Sequence, residues 1–474
     1  MIQFITENLE KNPNLTFVEF SNRKYSYEEF FYQVIHSARI LNSYEIPHRN
    51  LIGIQIENNL EFLIQWFACN FLGLTSVLLN PKAYGEELQK YIESVQLKTL
   101  ITNRKSIDQL SNYKLDLIFI EDSPSISLCG NELNKFNWSV DDVVTIIFTS
   151  GSDGIPKPVE LTISNFTSSF YSWNSEIQFV NDKIINFLPL HHISGISPIF
   201  RGLLSKTPIH LINKFQINKF INYCKINHPT IVSMVPTVIY KLLKTKEGID
   251  CLNSFKMILV GGGPSSKNIL KTCLKHDINI FITYGMTETC SGISGFWIKN
   301  NKDKLDSVGK PLKDVVITTK YTSEEFSQIC IKGNMVAKGY FKNNKFNYQF
   351  NSDDYGKYDI DGFLYLKPLR NDKIISGGEN VNPIDVENVI LEISGIIGCC
   401  VVGIEDEVWG EKIIAFITRK KNIEESLVLK HCKKRLLDFK IPKKIIFCVD
   451  LPQNELGKIN RKLAKKLIIN SEHI

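Results

Sequence analysis

IIFTSGSDGIPKPVELT, Ile146 to Thr162, sets a hydroxyl- and glycine-rich stretch directly after an apolar run and closes it with a lysine. The run from Val143 to Phe148 is apolar apart from Thr145 and too short for a helix, so it predicts a buried parallel strand. The residues after that strand must then form a loop. Gly151 and Gly154 let its backbone turn with amides pointing inward, Thr149, Ser150 and Ser152 offer hydroxyl donors, and Lys157 adds a compact positive charge. Together these groups suit a polyphosphate. The spacing is neither the GxxxxGK[ST] of a P-loop nor a GxGxxG after a strand, and read alone the stretch is equally a plain surface turn.

Outward from this loop the chain alternates. Strand-like runs at Thr230 to Val235, Lys256 to Val260 and Asn279 to Thr283 alternate with helical spacing at Val238 to Leu243 and Lys267 to Leu274, the pattern of a mostly parallel sheet covered by helices. Phe62 to Leu79 is uncharged and nearly long enough to cross a bilayer, but Gln65, Asn70, Gly73, Thr75 and Ser76 interrupt it. It divides instead into a helix ending near Gly73 and a strand before Asn80 and Pro81, and no membrane span is expected. The Asn- and Lys-rich stretches 299–304 and 342–348 read as exposed loops. Beyond Asn371, Asn382 can cap a helix whose first residue is Pro383, with Asp385 in its first turn and Val386, Val389, Ile390 and Ile393 on one apolar face.

With 474 residues the chain exceeds a single core and predicts at least two domains. The net charge of +6 is spread rather than clustered, which helps with anionic ligands, or is simply a solvated lysine-rich surface, and carries no nucleic-acid signature. Eleven cysteines, an odd number with no CxxC pair and with Cys399 and Cys400 adjacent, predict free thiols in a reducing compartment, without disulfides or zinc. The start MIQFITENLEKNPN carries acids early and lacks the basic and apolar regions of a signal peptide, so the cytoplasm is expected.

Five further segments recur in order: GGGPSS (Gly261 to Ser266), YGMTETC (Tyr284 to Cys290), SDDYGKYDIDGF (Ser352 to Phe363), DKIISGGENVNP (Asp372 to Pro383) and LGKINRK (Leu456 to Lys462). With the hydroxyl-rich loop, this set resembles the adenylate-forming superfamily of acyl-CoA synthetases, luciferases and peptide-synthetase adenylation domains, and the resemblance covers essentially the whole chain. It implies an α/β fold with a large N-terminal domain of mostly parallel sheets flanked by helices, residues 1–370, and a small mobile α+β domain, residues 371–474, hinged at Asn371. It also implies ATP, Mg²⁺ and coenzyme A as ligands. Gly261, Gly262 and Gly263 would lie beside adenine, Tyr284 and Gly285 would flank it, and Thr287 would contact the α-phosphate. Asp354 would bind the ribose hydroxyls, and Arg370, one position later than the family's usual arginine, would reach the nucleotide. Because the α-phosphate must be attacked while pyrophosphate leaves, charge has to be neutralised on both sides of it. Lys157 would do so near the pyrophosphate, Glu288 by holding Mg²⁺, and Lys458 from the small domain. Gly377 and Gly378 would line the path of the thiol.

The acid is less tightly indicated. FLPLHHISGISPIFRG, Phe187 to Gly202, carries His192, Ser194 and Arg201 among apolar residues, and helical spacing puts Ser194 and Arg201 two turns apart on one face. An arginine there can bind a second carboxylate, or be paired to a structural acid. HISGIS followed by an arginine, with MTETCSG and SGGENVNP, most resembles the o-succinylbenzoate:CoA ligases of menaquinone and phylloquinone synthesis, which implies that Arg201 and His192 read the carboxylate that is not activated. A generic aryl- or fatty-acyl-CoA synthetase, or a catalytically weakened nucleotide-binding relative, is the alternative. Three departures bear on that last reading: Asp153 stands where the family has a hydroxyl, Asp353 where it has a glycine, and Leu369 where it has the arginine. Family members occur as monomers and as dimers, so a homodimer stays open.

Overall fold

The computed structural model describes residues 1–474 except 122–134, 150–155, 264, 266, 320–325, 344, 368–373, 420–421, 453–459 and 472–474. The strand Val143–Thr149 lies inside a seven-stranded sheet, parallel to Thr75–Leu78 on one side and antiparallel to Lys157–Thr162 on the other. The expected parallel strand is therefore parallel on one side alone. Its antiparallel partner begins at Lys157, which pairs in register with Thr149. The helix Leu60–Phe71 and the strand Thr75–Leu78 divide the long apolar stretch as the sequence predicts, and the helix is buried along almost its whole length. Among the described residues no helix is long and apolar enough to cross a membrane.

A second sheet of nine strands runs parallel through Thr16–Phe20, Ile209–Leu211, Ile184–Asn186, Ile231–Met234, Met257–Val260 and Ile280–Met286. Ser291–Trp297 turns back antiparallel beside the last of these. Helices Pro236–Leu242 and Lys267–Lys275 fall where the alternation places them. A four-stranded sheet, entirely antiparallel, occupies the strands between Val316 and Lys367 and has no counterpart in the sequence reading. Its strands alternate buried and exposed positions, as Ser327–Lys332 does, and so lack the continuous apolar run that marks a strand covered on both faces.

The small domain has two hydrophobic clusters of its own, drawn from residues between Ile374 and Ile468. Its central hairpin pairs Ile396–Asp406 with Gly410–Arg419. Asn382 accepts from the Ile384 amide at 3.1 Å and caps the helix Pro383–Leu391. Successive side chains on a strand face opposite ways, so adjacent Cys399 and Cys400 enter different clusters. The ten described cysteines are free thiols, and eight of them are buried. Burial pushes the thiols of Cys69 and Cys273 up to about 12 and those of Cys400 and Cys432 up to about 11.

Candidate active site

The strands Val143–Thr149 and Ile280–Met286 belong to different sheets, yet their C-terminal ends meet. The second runs into a short 3₁₀ turn, Thr287–Thr289, which presents Glu288. Glu288 is buried, and its carboxylate accepts from the Tyr340 hydroxyl at 2.9 Å and, more weakly, from Thr149 at 3.5 Å. Lys157 lies with its ammonium 5.5 Å from the centre of the Tyr340 ring. Burial, then the charge of Glu288, pushes the Tyr340 phenol up, so it remains an O–H donor. Tyr340 is absent from the sequence reading because KGYF carries no motif; contact with Glu288 alone reveals it. Among the described residues no cluster of three or more His, Cys, Asp or Glu could cage a metal. A lone hard carboxylate with a hydroxyl beside it fits Mg²⁺, which keeps most of its waters and leans on substrate phosphates.

Tyr284 donates to Asp354 at 2.7 Å, and burial, followed by the Asp354 charge, holds the phenol protonated. Asp354 is itself fixed through its amide to the Ser352 hydroxyl at 3.2 Å. The adenine-side and ribose-side residues of the sequence reading are thus in direct contact. Asp353 is exposed, within the strand Gln349–Tyr358, and is not among the residues with positive φ. The conformational freedom of a glycine is therefore not needed there. Gly285 has a packing duty: a Cβ would come 2.1 Å from the Ser291 carbonyl, at a bulge between paired strands. Thr287 is half-buried on the same turn as Glu288.

The loop Gly261, Gly262 and Gly263 faces the small domain. Gly378 has φ +87°, and a Cβ on it would stand 2.9 Å from Val235 and 3.7 Å from the Gly262 carbonyl. Gly377, at φ +65°, packs against the Trp409 ring. The glycine pair thus serves a turn pressed into the mouth of the site, where a side chain at Gly378 would press against Val235 of the large domain. Beside it, His192 Nε2 lies 3.2 Å from Glu379. Burial, the largest influence, would lower the His192 pKa, but the Glu379 charge and hydrogen bond together outweigh it and the net shift is upward; Glu379 moves down, burial opposed by the charge and hydrogen bond of His192 and by Lys440. Lys82 with Asp438 at 3.0 Å, and Lys440 with Glu87 at 3.6 Å, also bridge the two domains.

Arg201 and His192 do not converge. His192 sits at the N-terminal boundary of the helix Ile193–Ser205 without a side-chain capping bond, and nine residues of helix carry Arg201 about 13 Å away along the axis. Ser194 is exposed in the first turn. Arg201 is buried, donates from Nη2 to the Ser291 hydroxyl at 2.8 Å, and stacks 4.6 Å from the centre of the Trp173 ring. Among the described residues it has no ion-pair partner, and its Nε has no acceptor. Among the described residues no structural acid therefore pairs with it. Burial lowers its pKa to about 10, which leaves it cationic at neutral pH. Ser150, Gly151, Ser152, Gly154, Arg370 and Lys458, with Asp153, Leu369 and the hinge at Asn371, lie outside the described residues.

The chain belongs to the AMP-binding enzyme family: the model of that family matches residues 5–341, and the model of the AMP-binding enzyme C-terminal domain matches 385–458. Within the family its relatives include 2-succinylbenzoate–CoA ligases. The 2-succinylbenzoate–CoA ligase of Oceanobacillus iheyensis is 32% identical over 474 residues, spanning 97% of this chain and 98% of the relative. The o-succinylbenzoate CoA synthetase of Bacillus subtilis, as a double mutant bound to a product analogue, superimposes with a TM-score of 0.88 at 28% identity, covering 98% of both chains. The same synthetase in complex with ATP and magnesium ion gives 0.74, also at 28% identity, covering 97% of this chain and 98% of that one.

Proposed function

We propose that this chain is an ATP-dependent o-succinylbenzoate:CoA ligase. The observation that carries the substrate is Arg201, a buried cation without an acid partner among the described residues, in a helix beside the site. A monocarboxylic acid activated at its only carboxylate has no use for such a group, whereas a second carboxylate supplies the missing partner. The names of the relatives agree. A carboxylate oxygen of the acid attacks the α-phosphorus of ATP, the bond to the bridging oxygen breaks, and pyrophosphate leaves. The sulfur of coenzyme A, having lost its proton, then attacks the acyl carbon, and AMP departs with the electrons of the broken acyl–oxygen bond.

In this reading Glu288 holds Mg²⁺, which supplies charge neutralisation at the phosphates. Tyr340 orients the Glu288 carboxylate, Lys157 and the 150–154 loop take the pyrophosphate side, Asp354 receives the ribose hydroxyls with Tyr284 fixing it, and Lys458 serves adenylation from the small domain. His192 is better assigned to docking of the small domain than to the acid, because its ring is engaged by Glu379. One relative fits at 0.88 with a product analogue and at 0.74 with ATP, which supports reading this arrangement, with Gly377 and Gly378 in the mouth, as that of thioester formation. The domain boundary at 370/371 and a cytoplasmic location belong to the same proposal.

The test is AMP release and thioester formation with o-succinylbenzoate, benzoate, a medium-chain fatty acid and no acid. Strong preference for o-succinylbenzoate is expected. Equal or faster turnover of either other acid would overturn the substrate assignment while keeping the reaction.

A further inference from the structure

A buried guanidinium is ordinarily stabilised by an acid, which takes up its N–H fork. Arg201 is stabilised differently. The Trp173 ring, on the separate helix Ile163–Ile177, offers its face to the cation at 4.6 Å and consumes none of its N–H donors. Trp173 is itself fully buried, and its indole N–H has no acceptor. Phenylalanine would fill most of that space without leaving a buried N–H unsatisfied, so packing alone does not explain tryptophan here. Its distinction is the strength with which its face attracts a cation. The ring is also held in place: Phe281 meets it edge-on at 5.6 Å, and a Cβ on Gly292 would come 2.5 Å from its Cζ2, so the neighbouring strand makes room for it with glycine.

Resting on the substrate reading above, we propose that Trp173 is a positioning residue for acid selection, holding Arg201 charged, buried and unpaired so that its fork is left for the non-reacting carboxylate of the acid. An acid side chain in that place would compete with the ligand; an aromatic face does not. Ser291 fixes one end of the guanidinium and Trp173 its plane.

The experiment is a graded series, Trp173→Tyr, Trp173→Phe and Trp173→Leu, with KM and kcat measured for o-succinylbenzoate and for benzoate. KM for o-succinylbenzoate should rise stepwise, reaching roughly 10- to 30-fold in the leucine variant, with kcat within a few-fold and the KM for benzoate unchanged. The tyrosine and phenylalanine variants carry the same test in smaller steps if the leucine variant does not fold. A rise shared by both acids, or none for o-succinylbenzoate, would make Trp173 a packing residue and overturn the inference. A wild-type protein that does not prefer o-succinylbenzoate over benzoate would instead overturn the substrate reading, and this inference with it.

Discussion

Arg461 and Arg201 are both largely removed from solvent, one in the small domain and one in the large, and their surroundings are opposite in kind. Arg461 donates to both oxygens of Glu387, at 2.7 and 2.9 Å, and to the Val401 carbonyl at 3.3 Å. Glu387 in turn accepts the Val401 amide at 2.8 Å, so the pair ties the helix Pro383–Leu391 and the C-terminal helix to the central hairpin. Arg201 has an aromatic face and one hydroxyl. A closed set of charges is a structural joint; an open one is half of an interaction whose other half arrives from outside.

The largest effect should come from opening the closed pair. Arg461→Ala leaves the Glu387 carboxylate buried and unpaired, and should destabilise the small domain by about 3–5 kcal/mol in urea unfolding. A loss under about 1 kcal/mol would put Arg461 on a par with a surface pair and dissolve the contrast. Arg201→Leu should behave inversely. KM for o-succinylbenzoate should rise by roughly 10- to 100-fold, the 1.5 to 3 kcal/mol of a charged hydrogen bond, while the melting temperature of the free protein does not fall. A variant that melts early with its KM unchanged would show Arg201 to be a joint as well.

The smallest effect concerns the half-exposed pair across the domains. His192, raised on pairing, contributes fully below 6.5 and loses its contribution as pH rises through the paired value; Glu379, lowered on pairing, contributes fully above 4.5 and loses it as pH falls through its own. Docking of the small domain should therefore be favoured most between those values. The rate of thioester formation from supplied acyl-adenylate should decline above that window, and Glu379→Gln should flatten the profile. A profile unchanged by Glu379→Gln would remove the pair from the docking energetics.

The parts of the fold that were legible were those written in local periodicity. The helix Leu60–Phe71, the strands of the two parallel sheets and the Asn382 cap each depend on residues within a turn or two of one another. The sheet between Val316 and Lys367 was not, because its strands bury alternate positions and present no apolar run. In the site, motif positions point to Glu288, Tyr284, Asp354 and Arg201, and the structure brings Tyr284 into contact with Asp354. Tyr340 and Trp173 stayed hidden, since their relevance lies in contacts across 52 and 28 residues of sequence: the first is a hydrogen bond to Glu288, the second a ring face under Arg201. His192 stands apart from Arg201 for a related reason. Proximity in the motif suggested a shared ligand, but a helix separates its cap from its third turn, and the cap faces the other domain.

The thiols set in the cores bear on the chemistry of a protein read as handling a thiol co-substrate. Nucleophilic exchange between sulfurs runs through the thiolate, and groups whose ionisation lies near 11 or 12 supply almost none of it at neutral pH. Burial also removes these sulfurs from solvent, where a pantetheine arm would approach. Packing that stabilises the fold therefore also keeps the thiols of Cys69, Cys273, Cys400 and Cys432 out of mixed disulfides with coenzyme A.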